Sequence, residues 1–207
     1  MILCIETATG ACSAALCDEK SVRGLAEAPP GMSHAAQLTV IIQRLMEENR
    51  IRATDLDAVA VSKGPGSYTG LRIGVSAAKG IAYGAGIPLI GINTLAAMCS
   101  GYASLYPEDL RPETLLCPMI DARRMEVYNA IYTPDGTQVR ETSASIIDGN
   151  SFSDILGGNR VIFFGNGSEK CRSIITHPNA MFREGFSLSA SYLHIPSVNA
   201  LRNKQFE

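Results

Sequence analysis

Apolar residues run without a break from Met1 to Ile5 and stop at the polar, glycine-bearing stretch Glu6-Thr7-Ala8-Thr9-Gly10. A short continuous apolar run closed by a polar, glycine-bearing stretch predicts a strand. Ala11 to Cys17 predicts a second strand, Asp18-Glu19-Lys20 a turn and Val22 to Ala28 a third strand, which makes the opening a three-stranded antiparallel meander. Pro29-Pro30-Gly31 interrupts the pattern. Ser33 then stands where a cap belongs, and Leu38, Ile41, Ile42, Leu45 and Met46 fall on one face of a helix that ends near Asn49.

The next stretch organises the chain. Asp57 to Ser62 is short and rich in valine and alanine, and it runs into Lys63-Gly64-Pro65-Gly66, the signature of a buried strand opening into a tight loop. Gly64 and Gly66 let the backbone turn sharply, while Pro65 fixes its own φ. A long helix follows, with Gly70, Gly74, Ala78 and Gly84 at near-helical spacing. Each glycine inside a helix costs roughly 0.5–1 kcal/mol relative to alanine, so the series predicts close packing of that helix. Pro88 to Ile92 predicts another strand and Thr94 to Tyr102 another helix. Three antiparallel strands followed by alternating helices and strands describe an α/β layer of the ribonuclease H type, a mixed sheet with helices on both faces.

Residues 103–114 carry charge, two prolines and no periodicity, which sets an expected boundary between a lobe of residues 1–105 and a smaller lobe of residues 106–207. Leu115 to Ile120 and Glu126 to Tyr132 predict a hairpin around the polar turn Asp121-Ala122-Arg123-Arg124. Val161 to Phe164 then opens into Gly165-Asn166-Gly167-Ser168, with a helix expected beyond, so the second half echoes the first in reduced form. Past Ser187 the pattern is weakly helical.

Composition narrows the function classes. Aromatics make up 6 % with no tryptophan, so the core must come from aliphatic residues, as in α/β layers. A net charge of −2 gives no general attraction to nucleic acid, so any RNA contact is expected to be indirect. The six cysteines, at 4, 12, 17, 99, 117 and 171, form no CxxC pair and sit mostly in apolar runs; they read as reduced, buried thiols. No apolar run reaches about 18 residues and no basic leader precedes the first strand, so a cytoplasmic protein without membrane contact is expected.

Candidate chemistry is sparse. Strand-end loops at Glu6-Thr7, at 64–69 and at 165–168 stand where α/β proteins bind ligands, but neither glycine loop ends in the Gly-Lys-Ser/Thr of a phosphate-binding P-loop. His34, His177 and His194 are scattered without a second ligand at helical spacing, so no metal site is expected. Ser67 and Ser76 have no base near them in sequence, so no catalytic residue is expected. Asp121, Arg123 and Arg124 have the chemistry to hold a phosphate or carboxylate, although a charged hairpin turn explains them as well.

Three strings carry a family resemblance: Ile-Leu-Cys-Ile-Glu-Thr-Ala-Thr at 2–9, Gly-Pro-Gly-Ser-Tyr-Thr-Gly-Leu-Arg-Ile-Gly at 64–74 and Ile-Pro-Leu-Ile-Gly-Ile-Asn-Thr-Leu at 87–95. They resemble the TsaB (YeaZ) family of the bacterial tRNA threonylcarbamoyladenosine pathway, strongly over about the first hundred residues and loosely beyond. The resemblance implies two ribonuclease H-like lobes of the actin and heat-shock-chaperone ATPase (ASKHA) superfamily, with a cleft between them. It also implies a non-catalytic partner that binds and activates a TsaD-type transferase, the enzyme that carries a threonylcarbamoyl group to N6 of the adenosine beside the anticodon. Other implied features are a homodimer when alone, a TsaE-type ATPase in the same complex, ATP or ADP bound in that complex, and no cofactor of its own. In the TsaD relative a His-x-x-x-His metal motif follows the strand aligned with Gly91-Ile92-Asn93; here Thr94 and Met98 stand at those two positions, and neither is an ordinary ligand. The family's usual aromatic and Pro-x-Tyr-Leu segment is not found after Phe206, which leads to the expectation of a truncated second lobe.

Two groups of site residues follow. Gly70, Gly74, Ala77, Ala78 and Ile81, with Leu38 and Ile42 from the preceding helix, are expected to form the surface for the partner or for a second copy. Glu6, Thr7, Gly64, Pro65, Gly66, Ser67, Thr69 and Arg72 are expected to form a loop that is structural first and a phosphate contact second. The alternative reading is a nucleotide-dependent phosphotransferase or ATPase of the same superfamily, for which Glu6 and Asp121 are the carboxylate candidates. A peptidase reading finds no nucleophile and base pair in the sequence.

Overall fold

Strands β1 (Ile2–Glu6), β2 (Ser13–Cys17) and β3 (Val22–Glu27) form the expected meander, and helix α1 (His34–Asn49) follows. Strand β4 (Ala58–Gly64), helix α2 (Tyr68–Ala85), strand β5 (Leu89–Asn93) and helix α3 (Thr94–Leu105) complete the first half. The second half contains β6 (Thr114–Asp121), β7 (Glu126–Tyr132), β8 (Gln138–Ile146), a single helical turn α4 (Ser153–Leu156), β9 (Arg160–Phe164), β10 (Ala180–Arg183) and helix α5 (His194–Arg202). This computed structural model describes residues 1–29, 31 and 33–207, so Pro30 of the expected break lies outside the described residues.

The chain divides into two units, Met1–Ala97 with Leu188–Glu207, and Met98–Ser187. In the first, the sheet order is β3-β2-β1-β4-β5, with β1 parallel to β4 and antiparallel to β2. Register and pleat sort the side chains. Leu3, Ile5, Leu16, Val59 and Val61 meet Leu38, Ile41, Ile42 and Leu45 of α1 and Ala78 and Ala82 of α2, while Ile2, Cys4, Cys17, Ala58 and Ala60 meet Ala190, Leu193, Val198 and Ala200 on the other face.

That second face corrects the expected division at 105/106. Residues 188–207 return to the first unit because β1 and β4 are apolar on both sides, and α1 and α2 cover only one of them. Leu193 is fully buried there, and burying a leucine contributes about 1.5–3 kcal/mol. The other edge of the division falls at Ala97/Met98, inside α3 rather than in the charged stretch that follows it.

In the second unit the order β8-β7-β6-β9-β10 repeats β3-β2-β1-β4-β5 strand for strand. The helix between β8 and β9 has shrunk to α4, and the helix expected after Gly165–Ser168 is a 3-10 turn at Glu169–Cys171. The core packs Leu115, Cys117, Met119, Val127, Ile131 and Phe163 against Phe152, Leu156 and Ile175. All six cysteines are free and buried.

Candidate functional site

The Gly-Pro-Gly loop joins β4 to α2, and its shape is dictated by the end of β1. Gly64 takes φ +114°, which favours glycine, and the Gly64–Pro65 bond is cis. A Cβ on Gly66 would strike the carbonyl oxygen of Ala8, and the Ser67 N–H donates to that same oxygen at 2.6 Å. Ser67 then caps α2: its Oγ accepts the Gly70 N–H at 3.3 Å, and its carbonyl accepts the Leu71 N–H at 2.8 Å.

The small residues of α2 meet the same segment. A Cβ at Gly70 would run into the Thr7 carbonyl oxygen and one at Gly74 into Thr7 Oγ1, while Thr7 Oγ–H donates to the Gly70 carbonyl at 2.8 Å. Close packing is therefore the reason for Gly70 and Gly74, though not for Gly84, which the series also included, and it points inward. Gly70, Gly74 and Ala78 are buried within the unit, as are Leu38 and Ile42 of α1, so these five residues cannot line a surface, contrary to expectation. Ala77 and Ile81 are half-buried against the same core. The outward side of α2 carries Tyr68, 70 % exposed, and Tyr83, 91 % exposed, with Arg72 stacked over the Tyr68 ring at 4.5 Å. A side chain at Gly80 or Gly84 would meet nothing within 4 Å. Val40 of α1 is 56 % exposed. Sequence reasoning missed Tyr68, Tyr83 and Val40, because an apolar residue on a helix gives no sign of which way it faces.

Glu6 ends β1 inside the protein, with 0 % exposure. The Ala8 N–H donates to its Oε1 at 2.6 Å, and Ser62, also fully buried, donates its hydroxyl to Oε2. Burial pushes the carboxyl up to about 7, against the opposing pull of hydrogen bonds from Ser62, Ala8 and Thr7. Ser62 was another miss, although a polar residue closing the apolar run 58–61 was a visible signal. Thr69 is exposed, at the outer side of the first turn of α2.

Other predicted positions are explained locally. Ser33 occupies the N-cap position of α1 without a side-chain hydrogen bond; its carbonyl accepts the Ala36 and Gln37 N–H groups at 3.1 and 3.2 Å. His194 Nε2 sits 2.9 Å from the Asp18 carbonyl, and His177 Nδ1 accepts the Asn179 N–H at 3.2 Å. Thr94 and Met98 are both buried, and Thr94 Oγ1 has no hydrogen-bond partner among the described residues. In the second unit, Asp121 accepts the Arg123 N–H at 2.9 Å and pairs with Lys170, whose hydrogen bond pulls its carboxyl below the ordinary value. Arg123 and Arg124 form the exposed hairpin turn at φ +73° and +48°. Gly167 lets its loop pack on the Ile120–Asp121 backbone, repeating in this unit what Gly66 does in the first.

Two units of one strand order, each with a glycine loop seated against the end of its first strand, give each unit the ribonuclease H-like layer. Comparison with known proteins agrees. The family described as TsaD, tRNA N6-adenosine threonylcarbamoyltransferase, matches residues 30–201. The tRNA threonylcarbamoyladenosine biosynthesis protein TsaB of Escherichia coli (strain K12) is 39 % identical over 134 residues, 65 % of this chain and 55 % of that protein. A Pseudomonas aeruginosa crystal structure, described as an uncharacterized protein with similarity to peptidase YeaZ, aligns with a TM-score of 0.82 at 23 % identity, covering 100 % of this chain and 94 % of that one. An ADPNP-bound activator of 2-hydroxyisocaproyl-CoA dehydratase from Clostridium difficile shares the fold, with a TM-score of 0.54 at 9 % identity and coverage of 99 % and 96 %. The chain belongs to the TsaD family and, within it, to the TsaB (YeaZ) group. It spans about half the length of the curated relatives it matches.

Proposed function

We propose that this chain is a non-catalytic partner subunit in tRNA threonylcarbamoyladenosine biosynthesis. It binds a TsaD-type transferase and raises its activity through the outward faces of α2 and α1, and it pairs with a second copy through the same faces when alone. The observation that carries this reading is the contrast between the two sides of α2. Its inner side is seated on Thr7 by two glycines, while its outer side holds Tyr68 and Tyr83 out to water. Exposed aromatic residues on a rigid helix are the usual anchors of a protein interface. A TsaE-type ATPase and bound ATP or ADP belong to the assembled complex, the tRNA is reached through the partner, and the site of action is the cytoplasm. No helix among the described residues is long and apolar enough to cross a membrane.

The sequence of the E. coli relative supports the pathway, and the site chemistry speaks against independent catalysis. Ser62 and Glu6 have the atoms of a nucleophile and a base, but both are sealed from solvent, which disfavours the peptidase reading. As a phosphotransferase base Glu6 faces the same obstacle. The test is tRNA modification by the TsaD-type transferase, measured with and without this chain. Turnover should require both proteins, and turnover by this chain alone would overturn the proposal.

A further inference from the structure

Glu6 is a carboxyl group with nowhere to put a charge. It is completely buried, its hydrogen-bond donors are the Ser62 hydroxyl and the backbone of Ala8 and Thr7, and among the described residues no cation pairs with it. The elements packed around it carry Cys12, His34, Lys63, Arg72, Glu27 and His194, and each is engaged elsewhere or turned away. Lys63 pairs with Glu207, Arg72 stacks on Tyr68, Glu27 accepts from Ser189, His194 meets the Asp18 carbonyl, and the His34 ring lies 3.5 Å from the Gly10 carbonyl. Burial raises the Cys12 thiol and keeps it neutral.

In the neutral state the carboxyl keeps both contacts without a charge: its protonated Oε2 can donate to Ser62 Oγ while Oε1 accepts from Ala8. In the ionised state a buried charge is left with two neutral donors and a neighbouring backbone contact, which is costly without water or a cation. The segment covering it is Thr7–Ala8, the same segment on which Gly66, Ser67, Gly70 and Gly74 are seated.

We propose that Glu6 is a proton-operated latch for the seat of α2: neutral, it keeps Thr7–Ala8 closed against the start of the helix; ionised, it drives that segment open to water. The latch stands whether or not α2 binds a partner. The upward shift of the carboxyl to about 7 agrees with a closed state that retains its proton. Opening gives that proton up, so it becomes easier as pH rises from about 4.5 toward 7 and levels off above.

Hydrogen exchange on the full chain from pH 5 to 8, corrected for intrinsic rates, tests this. The Ser67 and Ala8 amides report the latch, with the Ala60 and Val127 amides as controls for wider unfolding. The opening constant at Ser67 should rise about tenfold per pH unit between 5 and 7 and then flatten, as one-proton linkage requires. In Glu6→Gln the amide oxygen can still accept from Ala8 and the amide nitrogen can donate to Ser62, so opening should not depend on pH. Should that variant fail to fold, Ser62→Ala serves instead, because losing that hydrogen bond should move the plateau above pH 7. A flat wild-type profile would overturn the latch, as would a Glu6→Gln profile that follows wild type, an unmoved plateau in Ser62→Ala, or Ser67 exchanging in step with Ala60.

Discussion

Thr7 and Gly70 hold each other from both sides: Thr7 Oγ–H donates to the Gly70 carbonyl at 2.8 Å, and the bare α-carbon of Gly70 leaves room for the Thr7 carbonyl oxygen. Sixty-three residues separate the two, so this one relationship ties the end of β1 to the first turn of α2. Together with the Thr7 contact at Gly74, it explains why α2 accepts glycine at these two positions, which a free helix would disfavour.

Two glycine substitutions should therefore behave differently against Thr7→Ala. Gly70→Ala meets backbone and should destabilise by about 1–3 kcal/mol in either background, the usual range for overpacking. Gly74→Ala meets the Thr7 side chain, so its destabilisation should vanish when Thr7 is alanine and turn into a gain approaching about 1 kcal/mol, the helix propensity of alanine over glycine. A double-mutant cycle by urea denaturation measures both, and equal coupling at the two glycines would contradict the geometry.

The pH dependence of stability has an unusual sign at Glu6. Its folded value is raised from 4.5 to about 7, so the folded state binds more protons than the unfolded state between those values, and stability falls as pH rises through that window. The loss is about 3 kcal/mol at about 1.4 kcal/mol per pH unit. Asp121, lowered by Lys170, contributes in the opposite sense and loses its contribution as pH falls. The difference between wild type and Glu6→Gln isolates the Glu6 part. Denaturation at pH 5 and pH 8 should show wild type losing stability relative to the variant; a constant difference would refute the assignment.

The first half of this fold is legible because its periods are clean: the unbroken runs of β1 and β4, the five apolar residues of α1 on one face, and the glycines that end β4. The family strings at 2–9, 64–74 and 87–95 lie in that same half. Elsewhere the signal was weak for physical reasons. β8 is an exposed edge strand whose composition resembles a loop, and β10 is only four residues long. The return of α5 to the first sheet is a long-range event, prompted only by β1 and β4 being apolar on both faces. The inward direction of Gly70 and Gly74 was not visible either, since small residues permit close approach to any neighbour and the neighbour, Thr7, is distant in sequence.

Leu193 tests that return. Leu193→Ala removes a fully buried side chain opposite Cys4 and Ala60 and should cost about 2–5 kcal/mol. Hydrogen exchange should show the loss in strands β1, β4 and β5 and spare β6, β7 and β9. Protection lost from β6 and β9 instead would place the C-terminal helix with the wrong unit.

Among these tests, the most direct for the proposed function is the affinity between this chain and a TsaD-type transferase. Gly80→Trp fills open space on the outward face of α2, so the variant should keep the melting temperature of wild type. Isothermal titration should then show binding at least tenfold weaker, a loss of about 1.4 kcal/mol or more. A folded Gly80→Trp variant that binds the transferase with wild-type affinity would contradict the association surface.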